Sequence, residues 1–240
     1  MSGRECKVIA ALDVQDGPRA LELVDQLIGK IDFFKVGSRL FTAEGPPLVK
    51  AIREKGGRVF IDLKFHDIPA TVAGAVKAAC GLGVDMMTLH TTGGFEMMKE
   101  ASRTAAEVSA ELGRDRPVLV GVTILTSMEE TDLEVISPVK YNIADIVHRL
   151  ASRAEEAGLD GIVCSVWEAG DIREKFRDDF VIVTPGIRPA GTGMDDQKRV
   201  ATPARAAEAG SDYLVIGRPI YQAPRPAEAA AGILEELEVL

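Results

Sequence analysis

Short apolar runs recur along the chain with longer mixed stretches between them: Val8 to Val14, Phe33 to Gly37, Val59 to Phe65, Met86 to His90, Val118 to Leu125, Gly161 to Ser165, Val181 to Ile187 and Tyr213 to Gly217. Near-continuous apolar character is what a parallel strand shows when helices cover the sheet. The intervening stretches are long enough for helices, so strand and helix alternate throughout, which is the α/β signature. Three connections share a detail. Gly83-Val84-Asp85, Gly158-Leu159-Asp160 and Gly210-Ser211-Asp212 each stand just before a strand, and a glycine there is the left-handed terminator of the preceding helix. Eight such units in 240 residues, with no linker between them, predict one closed (β/α)8 TIM barrel spanning residues 1–240 as a single domain. An open dinucleotide-binding sheet would carry Gly-x-Gly-x-x-Gly after its first strand, whereas this strand ends Ala11-Leu12-Asp13-Val14. Active sites in such barrels gather at the C-terminal ends of the strands, and the chemistry is sought there.

Composition narrows the partners. A formal charge of -9 repels nucleic acid, whose binding needs clustered Lys and Arg, so no nucleic-acid partner is expected. No run of apolar residues has the length of a membrane span and the N-terminus has no signal-peptide core. Cys6, Cys80 and Cys164 are odd in number, lack metal-type spacing and lie in apolar stretches, where free cysteine behaves as a small hydrophobe. A reducing cytoplasm and no membrane association are the expectation.

The third strand ends in Asp62-Leu63-Lys64-Phe65-His66-Asp67-Ile68-Pro69. Strand side chains alternate faces, so Asp62 and Lys64 point one way while Leu63 and Phe65 pack the other. With Lys35 on the second strand and Asp13 on the first, four charges are expected to converge on the barrel mouth beside Asp67. A self-neutralising structural ion-pair network is the plain alternative. Desolvating four charges at one mouth argues for a use. At the far side, the loops after strands seven and eight of barrels commonly bind phosphate. Gly217 lets the backbone approach an anion and Arg218 offers a guanidinium suited to bidentate contact. The stretch from Arg188 to Pro203 is too long and Gly-rich for a simple connector, and reads as a lid.

Asp-Leu-Lys-Phe-His-Asp-Ile-Pro closely resembles the Asp-x-Lys-x-x-Asp-Ile-Pro signature of orotidine 5′-phosphate decarboxylases, and the likeness covers essentially the whole chain. Asp13, Lys35, Leu125-Thr126-Ser127-Met128, Pro185-Gly186-Ile187-Arg188-Pro189 and Ile216-Gly217-Arg218-Pro219-Ile220 fall at the matching strand ends in order, in the pattern of the bacterial branch. The resemblance implies decarboxylation of orotidine 5′-monophosphate to uridine 5′-monophosphate without cofactor or metal. It implies Lys64 as the group that stabilises the developing C6 carbanion and donates its proton, beside Asp62. Further implications are Asp13 and Lys35 on the ribose hydroxyls, Thr126 on the pyrimidine, Gln197 bridging phosphate and pyrimidine, and Arg188 at the phosphate end. It also implies a homodimer with shared sites, Asp67 and Thr71 serving the neighbouring subunit. Asp67 lies beyond the strand, next to the helix-starting Ile68-Pro69, where a side chain is able to leave its own barrel mouth.

Two other readings stay open at this stage. Metal-dependent decarboxylases of 3-keto-hexonate phosphates share Asp-x-Lys-x-x-Asp, but place a metal-binding Glu where this chain has Lys35, and a cation there repels a divalent metal. A non-catalytic nucleotide-binding barrel would have no need of Lys64. Ser127 and Glu130 fit a capping box, so Ser127 either caps a helix or contacts the pyrimidine. His66 and His90 read as structural, and Trp167, Met86-Met87 and Met97-Met98 as packing.

Overall fold

The computed structural model describes residues 5–129, 131–132, 142–189 and 201–238. Eight parallel strands close into a barrel in chain order: β1 (Lys7–Ala11), β2 (Phe33–Gly37), β3 (Arg58–Phe65), β4 (Met86–His90), β5 (Val118–Val122), β6 (Gly161–Val163), β7 (Val181–Pro185) and β8 (Tyr213–Ile216). β8 pairs with β1, with Lys7 opposite Tyr213, so the sheet has no free edge. Apolar side chains divide between two layers. Ile9, Ala11, Phe33, Phe60, Met86, Val120, Val183 and Val215 fill the barrel interior, and their strand neighbours pack outward against the helices.

Local sequence explains the helices. In Gly17–Leu27, Asp16 caps the N-terminus by accepting from the Arg19 N–H, Pro18 occupies the first turn, and Ala20, Leu23, Val24 and Leu27 form the buried stripe. In Phe95–Leu112 the Met97-Met98 pair is buried with Ala101, Ala105 and Val108, as the packing expectation required. Trp167 corrects that expectation: it is half exposed, with the Arg205 guanidinium 4.0 Å from its ring centroid. Among the described residues, no helix is long and apolar enough to cross a membrane.

The repeated Gly-x-Asp segments stitch the N-terminal end of the barrel. Gly83, Gly158 and Gly210 have φ of 72°, 82° and 88°, a left-handed geometry that other residues adopt only with strain. Each following aspartate then bridges two strands. Asp85 accepts from Val59 N–H at 2.8 Å, Asp160 from Leu119 at 2.7 Å and Asp212 from Ile182 at 2.7 Å. Their main-chain carbonyls receive Val118, Val181 and Lys7, the first residues of the next strands. Arg53, Arg116 and Arg173 neutralise the three carboxylates. The opposite end is thereby left for chemistry.

Candidate active site

Alternation continues past the apolar interior layer toward the C-terminal rim. Two residues beyond Ala11, Phe33, Phe60 and Met86 stand Asp13, Lys35, Asp62 and Thr88, so one layer of the barrel switches from hydrocarbon to charge. The charges alternate in sign across neighbouring strands. Lys35 Nζ lies 3.0 Å from Asp13 Oδ1 and 3.6 Å from Asp62 Oδ2, and Lys64 Nζ lies 2.8 Å from Asp62 Oδ1. Asp13, Lys35, Asp62 and Lys64 all line a cavity of about 370 Å³ whose floor is Ala11, Phe60, Val122, Val163, Val183 and Val215. A Cβ on Gly37 would sit 3.0 Å from Lys35 Nζ and 3.3 Å from Asp13 Oδ1, so glycine there keeps room for the first ion pair.

Burial decides the character of the row. Lys35 is 8% exposed; desolvation works against its charge, but the carboxylates of Asp62 and Asp13 outweigh it and hold its pKa above the ordinary lysine value. Asp62 is the converse. Burial favours its neutral form, yet Lys35, Lys64 and the Thr88 hydroxyl together hold its pKa below the ordinary carboxylate value. The interior of the row is therefore ionised, while the outer ends, Asp13 and Lys64, meet solvent in the cavity.

β3 does not reach Lys64 as a regular strand. Between the pairs Ile61 with Met87 and Phe65 with Leu89, three residues of β3 stand against the single residue Thr88 of β4. Lys64 adopts φ of 52° and is, among the described residues, the non-glycine with positive φ. Simple alternation thus predicts the right face for Asp62 and Lys64 through a backbone that is not simply alternating. Strained backbone of this kind clusters at functional positions.

The other side of the cavity carries Pro185, Gly186, Arg188, Gly217, Arg218 and Tyr221. Arg188 is buried, its Nη1 donating to Ile187 O at 2.9 Å. Ile187 forms a parallel bridge with Ala201, and Arg188 N–H donates to Ala201 O at 2.9 Å, which pins together the two ends of the long connection after β7. Gln197 and the central part of the expected lid lie outside the described residues. Thr126 and Ser127 line the cavity from a turn; Glu130, the other half of the expected capping box, also lies outside them. A full capping box joins Ser165 to Glu168 at the start of the helix Val166–Lys175.

Asp67 and Thr71 are not gathered with the rest. Both are exposed, neither lines the cavity, and the Asp67 carboxylate accepts from its own neighbour, Ile68 N–H, at 2.6 Å. The four expected charges converge, but not beside their own chain's Asp67: the carboxylate in ion-pair contact with Lys64 is Asp62. Sequence reasoning also missed Thr88, Tyr221 and Cys164. Thr88 had a visible signal, a lone hydroxyl in the apolar strand Met-Met-Thr-Leu-His, two residues beyond Met86. His66 and His90 stack at 5.3 Å at the rim, and His90 Nδ1 meets Thr92 Oγ1 at 2.7 Å. Among the described residues, no group of three or more His, Cys, Asp and Glu side chains is placed to hold a metal ion.

Residues 6–233 match the model of the orotidine 5′-phosphate decarboxylase / HUMPS family. The chain is similar to the orotidine 5′-phosphate decarboxylase of Moorella thermoacetica, 49% identical over 98% of this chain and 93% of that one. It is likewise similar to that of Pasteurella multocida, 48% identical over 97% of this chain and 98% of that one. Among solved structures, orotidine 5′-phosphate decarboxylase from Lactobacillus acidophilus superposes with a TM-score of 0.86 at 36% identity, covering 97% of this chain and 99% of that one.

Proposed function

The chain belongs to the orotidine 5′-phosphate decarboxylase / HUMPS family and is an orotidine 5′-phosphate decarboxylase, a carboxy-lyase of the last step of UMP synthesis, and we propose that its row of alternating charges performs the reaction. The observation that carries this reading is the sequence Asp13, Lys35, Asp62, Lys64 at successive distances of 3.0, 3.6 and 2.8 Å along one wall of the cavity.

The chemistry asks for such a row. Loss of CO2 from C6 of the orotate ring leaves an electron pair in an in-plane orbital that no adjacent carbonyl delocalises. Stabilisation must then be electrostatic and already in place. With the substrate carboxylate beside Asp62, two like charges meet in a poorly solvated corner, which disfavours the ground state and not the departing neutral CO2. The Lys64 ammonium faces the carbanion, neutralises it, and gives C6 the proton that completes uridine monophosphate; solvent then returns a proton to the amine. Lys35 cannot replace it, being engaged by both Asp13 and Asp62. Asp13 and Lys35 hold the ribose hydroxyls, and Thr126 and Ser127 meet the pyrimidine edge.

Arg218 and Arg188 hold the phosphate. A Cβ on Gly217 would stand no closer than 3.4 Å to the side chains around it, so packing leaves room beside this backbone for an anion. The enzyme acts as a two-fold homodimer in which the exposed Asp67 and Thr71 complete the neighbour's site. Exposed Ile68, 67% accessible, lies between them and gives the contact an apolar anchor. A reducing cytosol suits its free thiols.

Arg218→Ala tests the phosphate end. It should weaken turnover of orotidine monophosphate at least about a hundredfold, the scale expected when the transition state is deprived of a charge-assisted hydrogen bond, while leaving the slow turnover of orotidine within about threefold. Measuring kcat/KM for both substrates decides it. Equal losses remove Arg218 from the phosphate site.

A further inference from the structure

We infer that Thr88 is a positioning residue for the decarboxylation, its hydroxyl fixing the Lys64 backbone and the Asp62 carboxylate against one another. The inference rests on the reading of Lys64 as proton donor.

Thr88 occupies the place in β4 where the ladder to β3 is interrupted. A regular partner would offer Lys64 N–H a main-chain carbonyl; here the N–H donates to Thr88 Oγ1 at 2.8 Å. An oxygen that accepts there still has one proton to give, and it donates to Asp62 Oδ1 at 3.0 Å. The same Oδ1 accepts from Lys64 Nζ at 2.8 Å. The bonds close a ring: Lys64 N–H to Thr88, Thr88 to Asp62, and Asp62 to the Lys64 ammonium. Both ends of one lysine are held through a single hydroxyl.

Three properties make the ring rigid. Thr88 is 1% exposed, so water does not compete for its oxygen. β-branching restricts its χ1 on a strand, fixing where the oxygen stands. Its layer is that of Lys35 and Asp62, and the protein surrounds it without bringing it to the cavity wall, so it does not touch substrate. Without the hydroxyl, Lys64 N–H has no partner at a strained φ of 52°, and the bulge is free to relax toward an ordinary strand. The ammonium would then move off the line to C6. An ångström of misplacement is enough to reduce a rate by about a hundredfold.

Three variants isolate the hydroxyl. Thr88→Val exchanges it for a methyl at constant shape, whereas Thr88→Ser keeps it and loses the methyl; Thr88→Ala loses both. Each is measured for kcat and KM on orotidine monophosphate, for uridine monophosphate affinity, and for melting temperature. The expected result is a fall in kcat of about 10- to 100-fold in Val and Ala, with product affinity within about threefold of the parent. Ser holds kcat within about threefold even though its missing methyl lowers the melting temperature. The inference is overturned by a Val variant with full kcat, by Ser falling as far as Ala, or by a loss confined to KM. If Val does not fold, the Ser and Ala pair carries the comparison; if neither Val nor Ala folds while Ser does, the hydroxyl serves the fold and the inference also fails. Lys64→Ala in the same assay separates the two claims. An active Lys64→Ala protein removes the proton donor and this inference with it, whereas an inactive one beside a fully active Thr88→Val removes this inference alone.

Discussion

Lys64→Ala is expected to abolish turnover of orotidine monophosphate while leaving uridine monophosphate bound within about threefold of the parent affinity. Two effects disappear together. General acid catalysis contributes at least about 10²-fold, and a preorganised charge facing the developing carbanion contributes at least about 10²-fold more. The other cation of the row is not free to substitute: Lys35 is buried and ion-paired with two carboxylates. Product binding should survive because uridine monophosphate has neither the C6 carboxylate nor the carbanion, and its phosphate and ribose contacts lie on other strands. Single-turnover kinetics with a parallel product titration make the measurement. Retention of more than about a hundredth of parental turnover would sink the assignment.

The second large effect concerns the neighbouring subunit. Lys64→Ala and Asp67→Asn chains, each inactive alone, are unfolded and refolded together so that subunits exchange. In a mixed dimer one site carries both lesions, while the other joins an intact Lys64 to an intact Asp67 from its partner. Random pairing makes half the dimers mixed with half their sites whole, so about a quarter of parental activity should return, as the symmetry of an isologous dimer requires. The exposure of Asp67 and its absence from its own chain's cavity motivate the experiment. No recovery, with mixed dimers verified by mass, would place Asp67 in its own barrel.

Particular residues show what a sequence of this kind reveals. Asp13, Lys35, Asp62 and Lys64 were legible because strand period and charge are both one-dimensional properties: a polar residue two steps beyond an interior apolar one falls on the same face. The Lys64 backbone was not. Nothing in Leu63-Lys64-Phe65 marks a bulge, and the partner that Lys64 N–H finds there, the Thr88 hydroxyl, lies 24 residues away on β4. The strands also stop earlier than their apolar runs. β1 ends at Ala11, β5 at Val122 and β7 at Pro185, yet Leu12, Val14, Ile124 and Ile187 beyond them are buried. Hydrophobicity reports burial, and around a barrel rim burial outlasts strand pairing. Trp167 fails for the opposite reason, since an aromatic ring under a guanidinium is satisfied at the surface. The signature Ser-x-x-Glu occurs at Ser127 and at Ser165; among the described residues the complete box is at Ser165.

The claim that protein charge alone drives this decarboxylation is tested most directly by treating the purified protein exhaustively with a chelator, adding orotidine monophosphate, and following loss of the orotate absorbance together with release of uridine monophosphate. Full turnover, unchanged when divalent metal is restored, is the expected result, because the protein's own side chains supply every charge the reaction uses. Turnover that vanishes on chelation and returns with a divalent ion would contradict it.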